Sequence, residues 1–141
     1  MKFQPDRSNA PAVLSYGADW VVIRGALSDT NSDQPTTEKH QRSLVLCSHG
    51  QRRDWDCDRF EQLTPAHFAQ LADLSVEIVI FGSGQRQRFV SPAWLAPLMQ
   101  QRVGIETMDM AAACRTYNIL ASEGRRVALA LLLETADEAS T

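Results

Sequence analysis

The stretch Gly104–Leu133, GIETMDMAAACRTYNILASEGRRVALALLL, decides the fold of this chain. Its first residues are β-prone, its middle is rich in alanine and other helix formers, and its end is a continuous apolar run. Asp109 stands where its carboxylate can accept from the free amides of a first helical turn. Gly124 can take the left-handed conformation that ends a helix. The stretch predicts, in order, a strand at Ile105–Met108, a helix at Met110–Ser122 and a strand at Arg126–Leu133.

One face of the predicted helix is apolar and thin. Its residues fall on a single helical stripe: Met110, Ala113, Cys114, Tyr117 and Leu120. Because alanine side chains are short, the helix can approach a neighbouring layer closely. We therefore expect this stripe to lie directly on a β-sheet.

An earlier segment supplies a further strand of that sheet. Glu77–Phe81 (EIVIF) is a continuous, largely β-branched apolar run, which is typical of a strand buried on both faces. Thr64-Pro65 and Ser91-Pro92 each place an N-cap residue before a proline, so each predicts the start of a helix. Strands and helices alternate along the chain, and this pattern predicts a three-layer α/β domain with a mixed central sheet.

The first half of the chain adds strands and loops. Val13–Tyr16 and Trp20–Arg24 are β-prone runs on either side of a Gly-containing turn, which predicts an N-terminal β-hairpin. Ser43–Cys47 (SLVLC) predicts another short strand, whereas Ser28–Lys39 and His49–Asp58 have the composition of loops. The predicted organisation is a flexible N-terminus at 1–11, one domain at 12–133 and a flexible acidic tail at 134–141.

Composition excludes several classes of function. The chain has 141 residues and a formal net charge of −3, so it lacks the basic balance of a nucleic-acid binder. Its three cysteines are widely spaced and form neither a disulfide framework nor a metal-binding pair. No apolar run reaches the roughly 20 residues that a membrane span requires. The residues before Val13 have no signal-peptide core, and Asp6 argues against a transit peptide. The sequence predicts a bacterial-type cytoplasmic protein without a presequence.

Gly82-Ser83-Gly84 is the first candidate binding site, because it follows a strand predicted to be buried. Ligands of open α/β sheets bind beyond the carboxyl ends of the strands, and two glycines let backbone amides approach an anion. The dinucleotide signature GxGxxG is incomplete, since Gln87 occupies the third glycine position, and no P-loop lysine follows. The alternative is a turn that ends a strand and needs a positive φ angle.

Four polar residues complete the candidate site. Arg86 and Arg88 alternate along an extended segment and so share one side of it, where they would bind a phosphate or the carboxylate of a partner. Arg115 and Asn118 are three positions apart and share a face of the predicted helix. The alternatives are solvated charges for the first pair and structural tethering for the second. We expect the two pairs to gather at one edge of the sheet with the glycine loop.

No residue pattern indicates a reaction. Cys114 lies early in a helix, where the thiol pKa can be lowered, but it also belongs to the apolar stripe, where cysteines are inert. All three histidines lie far upstream of it in the sequence. His49 and Cys57 lack the further ligands of a metal site. The sequence predicts no catalytic residues, no metal and no cofactor.

EIVIFGSG at 77–84, GIETMD at 104–109 and AAACRTYNILASEGRRVALALL at 111–132 together resemble a widespread family of small α/β domains of unknown function. The eukaryotic branch of that family includes assembly factor 3 of complex I (NADH:ubiquinone oxidoreductase). The resemblance implies a mixed central sheet of about five strands, one of them antiparallel, with the last strand inside it. Family members more often have Thr between the two glycines, and Ser83 retains the hydroxyl. The resemblance transfers no catalytic residue.

Three hypotheses about function follow. The leading one is a non-enzymatic interaction or assembly protein that holds a protein partner at its Arg-rich edge. The alternative is a binding protein or enzyme for a small anionic ligand, with a pocket between Gly82-Ser83-Gly84 and the helix that starts near Met110. A homodimer with structural duties is the third.

Overall fold

The computed structural model describes residues 10–25 and 37–134. In these residues the chain forms eight strands and three helices, with short 3-10 turns at Phe60–Gln62 and Pro92–Leu95. The strands are β1 (Ala12–Tyr16), β2 (Val21–Arg24), β3 (Thr37–His40), β4 (Leu44–Cys47), β5 (Arg52–Asp54), β6 (Ile78–Gly82), β7 (Gly104–Met108) and β8 (Val127–Leu131). The helices are α1 (Pro65–Ala72), α2 (Ala96–Gln100) and α3 (Met110–Ser122).

The central sheet has the strand order β5-β4-β8-β6-β7. β6 pairs in parallel with β7 on one side and with β8 on the other. β4 pairs antiparallel with both β8 and β5, so it alone runs against the other four strands. The predicted mixed sheet of about five strands with one antiparallel member is confirmed, and so is the interior position of the last strand. β5 is a correction, because it lies within the segment predicted as a loop.

A second, smaller sheet has the order β1-β2-β3 with antiparallel pairing throughout. β1 and β2 are the predicted N-terminal hairpin, which is confirmed. β3 adds a strand at Thr37–His40, where the sequence had predicted the end of a loop. Most of that predicted loop, residues 28–36, lies outside the described residues.

The central sheet separates two apolar cores. Alternate residues of its inner strands face opposite sides, as strand geometry requires: Ile80 and Leu129 face one core, and Val79 and Ala128 face the other. The first core is covered by α3 and by the β1–β2 hairpin, and the second by α1, α2 and the two 3-10 turns. The three-layer arrangement predicted from the sequence is therefore present.

Two of the described helices, α1 and α3, begin where the sequence predicts. Thr64 precedes α1, and its backbone N–H donates to Nδ1 of His67 at 3.0 Å, which satisfies one free amide of the first turn. Asp109 caps α3 and accepts from the N–H of Ala112 at 2.8 Å. The segment after Ser91-Pro92 differs from the prediction, because it starts as a 3-10 turn and becomes α-helical only at Ala96.

The apolar stripe of α3 is buried as predicted, with one exchange. Met110, Ala113, Cys114 and Tyr117 are buried, and the last buried position is Ala121, whereas Leu120 is only partly buried. The hydroxyl of the buried Tyr117 donates to the carbonyl oxygen of Pro11 at 2.8 Å. This bond ties the chain before β1 to the helix, which places the hairpin beside α3.

Glu134, which the sequence predicted as the first residue of a flexible tail, is bonded to the domain. Glu134 accepts from the backbone N–H of Phe60 at 2.8 Å and from Arg88 at 2.7 Å, so it belongs with the domain. Residues 1–9 and 135–141, where the sequence predicts flexible ends, lie outside the described part of the chain.

Candidate functional site

The carboxyl ends of β6 and β7 form a topological switch point of the sheet. The connection that leaves β6 packs on the core of α1 and α2, whereas the connection that leaves β7 is α3 on the opposite face. Two neighbouring strands whose connections leave toward opposite faces open a crevice, and ligands of α/β proteins commonly bind there. Gly82-Ser83-Gly84 follows β6, and Asp109 follows β7. The sequence therefore indicated the edge of the sheet where a site would be expected.

Hydrogen bonds close this crevice. The backbone N–H of Ser83 donates to the carbonyl oxygen of Met108 at 2.8 Å, and the N–H of Met110 donates to that of Gly84 at 2.7 Å. The Ser83 hydroxyl is fully buried, donates toward the carbonyl oxygen of Arg86 at 2.9 Å and accepts from the N–H of Arg88 at 2.9 Å. The hydroxyl that the sequence marked for a ligand therefore holds the loop together.

The two glycines are required by packing and by backbone conformation. A Cβ atom at Gly82 would lie 2.7 Å from Cδ2 of Leu131, which is too close for any side chain there. Gly84 has a φ of +107°, and a Cβ atom on it would lie 2.9 Å from Nη2 of Arg88. Glycine is thus needed to build the loop itself.

Arg88 is turned into the protein. Its Nε donates to the carbonyl oxygen of Ser83 at 3.0 Å, and its Nη2 donates to Glu134 at 2.7 Å. The guanidinium also lies over the ring of Phe60, 4.5 Å from the centroid. Burial opposes ionisation of Glu134, but hydrogen bonds from Arg88 and from the N–H of Phe60 hold its pKa below the usual value. Arg88 is therefore already paired with a carboxylate of the same chain, that of Glu134.

Arg86 and Arg115 are different, because both side chains are exposed. Neither guanidinium makes a hydrogen bond or ion pair with any residue in the described ranges. Arg86 and Arg88, which alternation along the sequence placed together, therefore separate into one exposed cation and one enclosed cation.

Asn118 binds the hairpin rather than the glycine loop. Its Oδ1 accepts from the N–H of Val13 at 2.9 Å, and its Nδ2 donates to the carbonyl oxygen of Val13 at 2.8 Å. Nearby, the hydroxyl of Ser122 donates to the carbonyl oxygen of Ile119 within the same helix. The structural tethering considered for Asn118 is its observed role.

A groove lies beside the closed crevice, and the sequence did not predict that the β1–β2 turn would form one of its walls. It has a volume of about 320 Å³ and is open to solvent. The groove runs between the β1–β2 turn, the residue after the glycine loop and the first turn of α3, and its lining comprises Tyr16, Gly17, Ala18, Gln85, Asp109, Met110 and Ala111. The turn at Gly17 was recognised from the sequence, but its packing against α3 depends on contacts more than 100 residues apart, such as that of Tyr117 with Pro11.

Arg86 and Arg115 both adjoin residues that line this groove. Arg86 directly follows Gln85, and Arg115 stands one helical turn after Ala111 on the same face of α3. The lining itself carries one ionisable carboxylate, that of Asp109, whose Oδ1 is engaged as the helix cap. The groove therefore has a mixed polar and apolar lining, and an exposed arginine adjoins that lining both in the loop after β6 and on α3.

The ionisable groups in the described ranges form no recognisable catalytic set. Burial raises the pKa of Cys114 to about 12 and that of Cys47 to about 11, so both thiols stay protonated near neutrality. His67 is engaged by Thr64 and by the carbonyl oxygen of Asp56, the latter at 2.7 Å. Across residues 10–25 and 37–134, no three His, Cys, Asp or Glu side chains stand close enough to hold a metal ion.

Within the same ranges, none of the helices has the length and apolarity needed to cross a membrane.

The chain is similar to curated proteins named NADH dehydrogenase [ubiquinone] 1 alpha subcomplex assembly factor 3. It is 30% identical to the protein of Bos taurus over 80 residues, which are 55% of this chain and 44% of the bovine protein. It is 40% identical to the protein of Xenopus tropicalis over 57 residues, which are 40% of this chain and 31% of the frog protein. The chain thus spans less than half the length of the curated relatives it matches.

Solved bacterial structures have the same fold. A crystal structure from Bordetella parapertussis is 32% identical, covers 89% of this chain and 97% of its own, and superposes with a TM-score of 0.73. An NMR structure from Xanthomonas campestris is 32% identical, covers 94% and 89%, and has a TM-score of 0.69. A Bordetella pertussis structure described as a Mth938-like domain is 25% identical, covers 99% and 96%, and has a TM-score of 0.73. All three were structural genomics targets.

The family match runs over residues 13–132, which includes both sheets, all three helices and the groove. It confirms the resemblance seen in the segments around Gly82 and Arg115. The chain belongs to the family described as protein of unknown function (DUF498/DUF598).

Proposed function

We propose that this chain is a non-enzymatic interaction protein with an assembly-factor-like role, and that it holds a protein partner through Arg86 and Arg115. The observation that carries the proposal is that Arg86 and Arg115 are exposed, adjoin an open groove and have no hydrogen-bond or ion-pair partner within residues 10–25 and 37–134, while Ser83, Arg88 and Asn118 are engaged internally. Exposed arginine favours bidentate contacts with carboxylates, and arginine is enriched where proteins meet. The names of the curated relatives support the same kind of role.

Affinity capture tests this function. A tagged wild-type chain, the double variant R86E/R115E and the control R102E would be used as baits in native lysate. Arg102 is also exposed, and its side chain has no partner in the described ranges, but it lies before β7, at the opposite end of that strand from the groove. We expect a partner that binds the wild type and R102E and is lost with R86E/R115E. Recovery of no partner, or of partners indifferent to the double charge reversal, would contradict the proposal.

The small-anion alternative retains one supporting feature, the groove at the start of α3. Fewer hydrogen-bond donors are free for an anion than the sequence suggested. The Ser83 amide and hydroxyl are engaged, and the Ala112 N–H of the first turn of α3 already donates to Asp109. A thermal-shift screen with phosphates, nucleotides and carboxylates tests it. A shift that R86E/R115E abolishes would favour the alternative, and no shift with any compound would reject it.

A cytoplasmic location and the oligomeric state complete the proposal. We propose a cytoplasmic location, and the oligomeric state separates the partner-binding function from the structural homodimer hypothesis. Cell fractionation tests the location, and sedimentation at several concentrations tests the state. A stable dimer would support the structural homodimer hypothesis instead.

A further inference from the structure

We propose, on the basis of the function above, that the partner presents an acidic segment with apolar side chains and docks it along α3 and β1. The docking surface, here named the α3–β1 surface, consists of Leu14, Tyr16, Ala111, Arg115 and Ile119, together with the adjoining groove. Its occupant is inferred from the charge and the exposure of these residues.

The helical half of this surface is a stripe. Ala111, Arg115 and Ile119 are spaced by four positions and so lie above one another on one face of α3. Ile119 is 56% exposed, and Arg115 is exposed as well. The opposite stripe of the same helix is buried in the core, whereas Ala111 and Ile119 place apolar side chains on the less buried face beside Arg115. A β-branched residue has a slightly lower helix propensity than a straight-chain residue, and exposed apolar side chains that adjoin one another mark interaction surfaces.

The strand half is held beside that stripe by Asn118. The paired hydrogen bonds between Asn118 and Val13 fix β1 against α3. Leu14 is the residue after Val13 in β1, and Ile119 is the residue after Asn118 in α3. A break in the pairing register between Val13 and Ser15 leaves Leu14 without a partner in β2. Leu14 is 50% exposed and Tyr16 is 38% exposed, and Tyr16 also lines the groove. Strand and helix thus each expose an apolar side chain directly after a residue of the Val13–Asn118 pair.

Charge selects the class of partner. Arg115 is the only ionisable side chain of α3 that is exposed, and Arg86 directly follows Gln85, which lines the groove. Neither guanidinium is neutralised by a described residue, while the carboxylate in the groove lining, that of Asp109, accepts from the Ala112 amide. Carboxylates on the partner would meet these two guanidinium groups, and a basic segment would be repelled by them.

The mode of contact is through side chains rather than strand addition at Val13. An added strand needs free backbone N–H and C=O groups on the edge of β1. Both outward groups of Val13 are taken by Asn118, and the bulge at Leu14 interrupts the edge. Bulges and covered edges discourage pairing with another chain. The partner is therefore expected to place apolar side chains over Leu14 and Ile119.

A displayed library of random peptides, selected on the folded wild-type chain, tests this inference. We expect enriched peptides to combine Asp or Glu with aromatic or aliphatic residues. A synthetic peptide with the enriched sequence should bind R115E and I119D each at least about tenfold more weakly than wild type, and R102E equally well. Exchanging the acidic residue of the peptide for Lys should restore binding to R115E, because the pair of charges is then reversed.

Several results would overturn the inference. Enrichment of basic peptides would refute the chemistry, and acidic peptides indifferent to R115E and I119D would refute the location. No enrichment would reject a peptide-binding surface, and self-association abolished by I119D would show that a second copy occupies it. If lysate capture yields a partner that R86E/R115E loses but L14D and I119D retain, the proposed function stands and the docking inference fails.

Discussion

Asn118 on α3 binds both backbone groups of Val13 on β1, accepting from its N–H at 2.9 Å and donating to its carbonyl oxygen at 2.8 Å. The side-chain amide thus occupies the place of a neighbouring strand. The two residues are 105 positions apart, so this contact joins the small sheet to the helix that crosses the central one. Most buried polar groups find partners, and this pair of bonds satisfies four of them at once.

We predict that N118A lowers the free energy of unfolding by about 1 to 3 kcal/mol, because Val13 loses both partners next to the core. Chemical denaturation measures the loss. N118D is the informative companion, since its carboxylate can still accept from the Val13 N–H but faces the Val13 carbonyl oxygen without a donor. An N118A chain as stable as wild type would show that water replaces the amide without cost.

A comparison of Gly124 with Gly84 separates the cost of placing a side chain at a positive φ from the cost of a steric clash. Gly124 has a φ of +83° and nothing within 4 Å of an added Cβ atom, so G124A should cost about 1 kcal/mol from backbone conformation alone. G84A should cost more, since its Cβ atom would also lie 2.9 Å from Nη2 of Arg88, which is held by Ser83 and Glu134.

Thermal or chemical denaturation of G84A, G124A and G84A/R88A measures both contributions. The Gly84 substitution should cost less in the R88A background than in the wild type. Equal costs in the two backgrounds would mean that Arg88 moves aside freely.

The free energy of unfolding should depend on pH through the carboxylate of Glu134. Its pKa in the folded chain lies below the ordinary value of 4.5, because the hydrogen bonds from Arg88 and Phe60 outweigh burial. A depressed folded pKa contributes stability that is fully present above pH 4.5 and is lost as the pH falls through the folded pKa. We therefore predict that E134Q is less stable than wild type at pH 7, and that the difference shrinks toward pH 3.

Urea denaturation at the two pH values checks the Glu134 prediction. E77Q is the matched control, because Glu77 also pairs with an arginine, Arg125, but the pair is exposed to solvent and screened by salt. A pH-independent difference between wild type and E134Q would show that the carboxylate charge contributes nothing.

The thiols should be unreactive in the folded chain. Burial raises the pKa of Cys47 to about 11 and that of Cys114 to about 12, and it also raises the pKa of Cys57. Since the thiolate is the reactive species, a disulfide reagent at pH 8 should label these residues slowly in buffer and rapidly in denaturant. Stoichiometric labelling of Cys114 in the native chain would support the hypothesis that Cys114 is a reactive nucleophile, which its position early in the helix suggested.

Local patterns predicted most of the elements. The apolar run at Glu77–Phe81 specified β6, the cap at Asp109 specified the start of α3, and Gly124 its end. β3 and β5 were missed because they are short and polar throughout, and pairing with β2 and β4 rather than composition makes them strands. The helix predicted after Ser91 becomes α-helical only at Ala96, because Pro97 has no N–H to bond back into a turn begun at Pro92.

The sequence alone determined most of the elements, the family and the edge of the sheet where loops with polar residues would meet, because caps, turns and apolar periodicity act over a few residues. The tertiary structure was needed to show what Gly104–Leu133 and Gly82-Ser83-Gly84 do with their polar groups. Ser83, Arg88 and Asn118 found partners inside the fold, while Arg86 and Arg115 found none among the described residues. That division depends on contacts such as Arg88 with Glu134 and Asn118 with Val13, whose residues lie 46 and 105 positions apart. Such pairings become fixed only once the cores have closed.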